Sequence, residues 1–120
     1  MDLQQELKNI CQEVPGCKAA ILMNLDGMVV MRHVHEEGGL DDEVLLIELT
    51  ASVKQALGAV ENGGGGRLQE LVLHFERGTL VMRLLQEEHF IAMLIAPQAL
   101  SGKSRYVLRT HSQPLANDLF

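Results

Sequence analysis

Two histidines and two glutamates fall together at His33, His35, Glu36 and Glu37, a local cluster of metal-ligand atoms with two imidazoles. His33 and His35 share a face if the segment is extended, and two imidazoles with a carboxylate hold a divalent metal if a further ligand arrives from elsewhere. A strand running into a charged loop uses the same residues; that plainer reading is preferred and no metal is assigned. Pro97-Gln-Ala-Leu-Ser-Gly-Lys-Ser104 comes close to a phosphate-binding loop, since it follows a strand-like run and opens a helix-like one. It fails at its first position, where Pro97 lacks the N–H and the freedom in φ of the required glycine, and no later strand offers an Asp for the metal. Ser101 is then expected to cap a helix and Gly102 to permit close packing. His74, His89 and His111 are isolated in sequence, and nothing places a base beside a nucleophile. No catalytic residue is assigned, no cofactor is implied and no enzyme is expected. Cys11 and Cys17 lie in no zinc or thioredoxin spacing, so both are expected as buried or half-buried thiols in a reducing cytosol.

Composition narrows the partners. With 120 residues, 47% hydrophobic and 22% charged, the chain suits one globular domain over residues 1–120 with one core. Its formal charge is −6 and its ten Lys and Arg are spread from Lys8 to Arg109, which is not the footprint of a nucleic-acid or anionic-membrane binder. Aromatic residues make up only 3%, with no Trp, too few for base-stacking platforms. The start, Met1-Asp-Leu-Gln-Gln-Glu, is acidic where a secretory signal would be basic and then apolar. The most apolar stretch, 90–96, is far shorter than the ~20 residues that span a bilayer. A soluble, cytoplasmic protein is expected.

These residues need elements to hold them. Leu3, Leu7, Ile10, Cys11 and Val14 recur at helical spacing until Pro15-Gly16 stops the pattern. Apolar runs at 17–23 and 28–34 flank Asp26-Gly27, a hairpin signal. Asp41 or Asp42 can cap a second helix reaching about Glu61, which the glycines 63–66 end. Runs at 68–76, 79–85 and 90–96 read as three further strands. Pro97 closes the last; a third helix from Ser101 is expected through about His111, with Pro114 breaking it. The order is α-β-β-α-β-β-β-α with a five-stranded, mostly antiparallel sheet. The runs 19–23 and 90–95 are apolar on both alternating faces, so both faces must be covered. Helices one and three on one side and helix two on the other give a three-layer α/β architecture.

Helix two is apolar on more than one side. At ~100° per residue, Leu45, Leu46, Leu49, Val53, Ala56, Leu57 and Val60 form a broad core stripe. Nearly opposite, Val44, Ile47, Ala51 and Gly58 form a second, edged by Glu48, Lys54 and Gln55. Such a helix is usually buried on more than one side. Self-association through helix two is one way to cover the second stripe; folding of loop 35–40 or of the C-terminal tail over it is the other.

The segment Val14-Pro-Gly-Cys-Lys-Ala-Ala-Ile-Leu-Met-Asn-Leu-Asp-Gly-Met-Val-Val resembles the opening of Roadblock (dynein light chain) family domains: a helix ending in a Pro-Gly turn, a strand, an Asp-Gly hairpin and a strand. Leu49-Thr-Ala-Ser-Val-Lys resembles the family's Ala-rich second helix, and Gly66-Arg-Leu-Gln-Glu-Leu the approach to its third strand. Leu100-Ser-Gly-Lys-Ser-Arg-Tyr-Val-Leu-Arg resembles the Gly-containing start of its last helix. The likeness spans nearly the whole chain and rests on the combination, while the four-glycine run and Ala19, where the family often has Gly, depart from it.

The resemblance implies a three-layer, profilin-like fold and a dimer, of like chains or of related Roadblock-type subunits. In it second helices lie side by side and third strands pair across a two-fold axis, so Leu71 and Leu73 join Val44, Ile47, Ala51 and Gly58 at the interface. It further implies a non-catalytic scaffold or regulator of a small Ras-like GTPase, as in bacterial polarity and gliding-motility systems, possessing no catalytic site even where hydrolysis is stimulated. Glu48, Lys54 and Gln55 are then candidate partner contacts. Neither Arg67 nor Arg77 is expected to act as an arginine finger. The alternative reading is a small sensor domain binding a ligand between sheet and helix, but the medium-sized aliphatic core supplies few convergent polar groups for one.

Overall fold

A computed structural model describes residues 2–36, 39–86 and 88–119. The elements are α1 (Leu3–Gln12), β1 (Cys17–Asn24), β2 (Val29–Val34), α2 (Asp42–Asn62), β3 (Glu70–Phe75), β4 (Gly78–Leu84), β5 (His89–Ile95) and α3 (Ser101–Leu119). Their order is the expected one.

Each start and stop has a local cause. Asp2 caps α1 by accepting from the Gln4 N–H at 3.1 Å. After α1, Gly16 turns the chain at φ +88°, where its carbonyl accepts from the Ala96 N–H at 2.9 Å; a Cβ there would sit 2.8 Å from the Ala99 Cβ. Only glycine meets both demands. In the β1–β2 hairpin the Asn24 side-chain oxygen accepts from the N–H groups of Asp26 and Met28, and Gly27 takes φ +89°. Asp41 caps α2 through the Val44 N–H at 3.1 Å, and Gly64 and Gly66 leave it in the left-handed region.

The sheet order is β2-β1-β5-β4-β3 and every neighbouring pair is antiparallel. The chain therefore crosses from one edge of the sheet to the other through α2, and β5 inserts between β1 and β4. Alternation of side chains divides the core in two. Leu7, Ile10, Leu22, Met93, Val107 and Leu115 fill the α1/α3 side. Ile21, Met23, Leu46, Val53, Met82 and Phe90 fill the α2 side. The central strands β1 and β5 are buried along both faces, as their unbroken apolar runs require.

Four expectations are corrected. Pro114 does not break the last helix: α3 runs on to Leu119. Burial of Leu115 in the α1/α3 core, with Leu119 packed against it, offsets an interior-proline penalty of about 3 kcal/mol. Ser101 is the first residue of α3 rather than a residue outside it, and Gly102 is exposed with open space where a Cβ would stand, so it is not a close-packing residue. Cys11 and Cys17 are buried as expected but are joined as a disulfide with Cα atoms 5.5 Å apart, not free thiols. The turn at 13–16 folds the end of α1 back onto the start of β1 and brings the two together.

Candidate interaction surface

The inner face of α2 sits as the helical wheel requires: Leu46 and Val53 are buried, and Leu45, Leu49 and Leu57 pack against the α2-side core. Asp42 and Thr50 are buried as well, which apolar periodicity does not signal. Asp42 is held by Arg32 of β2 through two charge-assisted bonds, Nε to Oδ2 at 2.7 Å and Nη2 to Oδ1 at 2.6 Å, while the Thr50 hydroxyl donates to the Ile47 carbonyl. The Arg32–Asp42 pair pins the first turn of α2 to the sheet.

This anchoring leaves the opposite face of α2 outward. Val44 is 54% and Ile47 45% exposed, Ala51 is exposed, and Gly58 has open space beyond its Cα. The described residues of loop 35–40 and of the C-terminal segment do not cover this stripe; α3 packs on the far side of the sheet. Glu48, Lys54 and Gln55 flank the stripe and are exposed. Lys54 lies 3.6 Å from Asp26 in a solvent-exposed pair, an interaction of little energetic weight. On the same side of the sheet, β3 is an edge strand; Leu71 is half-buried beneath α2 and Leu73 is 37% exposed. The stripe of α2 and the open edge of β3 are thus both unpartnered in the monomer.

The other candidate sites resolve locally. His33 lies on β2 with its Nε2 buried and, among the described residues, unpartnered; burial, then the neighbouring His35 and Lys8, lower its pKa below the ordinary 6.5. His35 and Glu36 are exposed beyond the strand, and Glu37 lies outside the described residues. Among the described residues no three His, Cys, Asp or Glu side chains converge as a metal site. In the phosphate-loop-like segment the Ser104 hydroxyl is buried and donates to the Ser101 carbonyl at 2.7 Å, so it is spent on its own helix. Arg67 donates to the Leu85 carbonyl at 2.9 Å, and Arg77 is an exposed turn residue.

Solved structures share this arrangement from end to end. A Roadblock/LC7 domain from Streptomyces avermitilis superposes with a TM-score of 0.83 at 20% identity, covering 99% of this chain and 98% of that one. The chain has the Roadblock/LC7 fold. MglC from Myxococcus xanthus shares it at TM-score 0.74 and 24% identity, over 98% and 99% of the two chains. The gliding protein MglB from Thermus thermophilus does so at 0.81 and 20%, over 94% of this chain and 84% of its own. Profilin II of Acanthamoeba castellanii follows at 0.67 and 12%, which places the Roadblock fold beside profilin as its layering implies. No protein-family model and no curated protein matches the sequence. Among the described residues of this Roadblock fold, no helix is long and apolar enough to cross a membrane.

Proposed function

We propose that this chain is a non-catalytic, cytoplasmic regulator or scaffold that forms a dimer, with a second copy or a related Roadblock-type subunit, and in that form binds a small Ras-like GTPase. The observation that carries the reading is the outward apolar stripe of α2 at Val44, Ile47 and Ala51 beside the open edge of β3 at Leu73. Helices packed through Ala51 and Gly58 approach closely, and two β3 edges paired across a two-fold axis satisfy each other's backbone groups. The likeness to the gliding protein MglB and to MglC supports a place in the same kind of system. Glu48, Lys54 and Gln55 border the joined helices and are the proposed GTPase contacts; any stimulation of hydrolysis acts by holding the GTPase in a competent shape, without an arginine from this chain.

Sedimentation equilibrium on the wild type and on Ile47→Glu tests the first half. A charge buried at the centre of the interface is expected to weaken the dimer by about 100-fold or more with an unchanged circular dichroism spectrum; an equally tight dimer would remove α2 as the interface. Capture of Ras-like GTPases loaded with a non-hydrolysable GTP analogue or with GDP tests the second. Retention in one nucleotide state is expected, and retention in neither by a folded dimer would sink the GTPase role alone.

A further inference from the structure

On the face of the sheet away from α2, a trough runs between α3 and the strands β3 and β4. Two adjoining depressions form it, of about 170 and about 210 Å³, and they share Arg83. Its α3 wall extends from Gly102 to Ala116 along one side of the helix, a length of about 21 Å at ~1.5 Å per residue.

Charge is concentrated here. Five of the ten cations of a chain carrying −6 lie in or beside the trough: Arg67, Arg83, Arg105 and Arg109 in its walls, and Lys103 over the Tyr106 ring at 5.9 Å. Among the described residues lining it, the one acid is Glu70. Glu70 stands directly opposite Arg83 in the β3–β4 register, yet its carboxylate is taken by Arg105, Nε to Oε1 and Nη2 to Oε2 both at 3.0 Å. Arg83 and Arg109 have no anionic partner among the described residues; Arg109 instead lies 5.7 Å from the Tyr106 ring. Tyr106 is 54% exposed, and Leu100 beside the helix start is also exposed.

We infer that this trough binds a short acidic segment of a partner protein in extended form, its carboxylates pairing with Arg83 and Arg109 as Glu70 pairs with Arg105. The length accommodates about six extended residues at ~3.3 Å each. Planar guanidinium groups suit carboxylate forks, and the exposed Tyr106 and Leu100 give such a segment apolar contact. Polyanionic surfaces are disfavoured, because the rest of the molecule is strongly acidic. The site lies across the sheet from the α2 surface and does not depend on the GTPase reading.

Fluorescence anisotropy of the full chain with a labelled Glu-rich peptide containing one Leu, and with its Gln counterpart, tests this. Saturable, salt-sensitive binding of the Glu peptide alone is expected. Arg83→Gln with Arg109→Gln should weaken it at least ~tenfold without changing the thermal melt, and Glu70→Gln, which releases Arg105, should tighten it. Absence of saturable binding, or binding indifferent to the double substitution, overturns the inference. So does Arg83-dependent binding of phosphatidylserine vesicles or of a single-stranded oligonucleotide in preference to the peptide, which would make the trough a general polyanion surface.

Discussion

Arg32 and Asp42 show how much a single pair can decide. Asp42 is almost fully buried and depends on two guanidinium bonds from β2 to be tolerated there. Replacing it with Asn removes the charge from both bonds while Glu43 stays 3.5 Å from the Arg32 Nε, and a loss of about 1–3 kcal/mol is expected in urea unfolding. His33 gives a second prediction at this scale. Its pKa is lowered in the fold, chiefly by burial, so well above pH 6.5 it is neutral in both states and costs nothing. As pH falls through 6.5 the unfolded chain takes up the proton first, and stability declines until the folded-state pKa is passed. His33→Gln should therefore flatten the drop in urea midpoint between pH about 7.5 and about 5; an unchanged slope would place that drop elsewhere. Neither residue announces its role in sequence. Arg32 and Asp42 are ten positions apart with a loop between them, and His33 is on β2, against which the sequence-distant α1 packs.

At the scale of elements, the sequence is most legible where short-range rules suffice. Asp41 as a cap, Asp26-Gly27 as a hairpin and the glycines after α2 act within a few residues, and the elements other than α3 lie close to their expected ranges. The C-terminal half of α3 escapes such rules because the energy holding it comes from Leu115, with Leu119 beside it, meeting α1-side residues distant in sequence. The disulfide escapes them for a related reason: a spacing of six carries no motif, and only the Gly16 turn sets Cys11 beside Cys17. Reduction of this short loop is expected to lower stability by about 2 kcal/mol, read as a shift in urea midpoint with dithiothreitol. A chain that shows two titratable thiols when purified without reductant, and no shift on reduction, would contradict the bond.

For the whole molecule, the sheet separates the two proposed surfaces. The α2 stripe with the β3 edge lies on one side, and the arginine trough beside α3 on the other. The two are expected to act independently. Arg83→Gln with Arg109→Gln should leave the sedimentation mass unchanged, and Ile47→Glu should leave the affinity for the acidic peptide within about threefold, the additivity expected of distant sites. Coupling of either substitution to the other readout would mean that dimerisation builds the trough.

The sequence by itself determined the element order, the three layers and the second apolar face of α2, because alternation, helical periodicity and turn residues are local properties of the chain. It also carried enough of the Roadblock pattern to name the fold from a combination of weak segments. Only the tertiary structure decided the strand order, with β5 between β1 and β4, the Arg32–Asp42 anchor, the Cys11–Cys17 bond and the gathering of Arg67, Arg83, Arg105 and Arg109 along one trough. In the linear chain those arginines are spaced through more than forty residues and read as scattered charge. They meet because α3 returns across β4, and that placement depends on packing between distant segments.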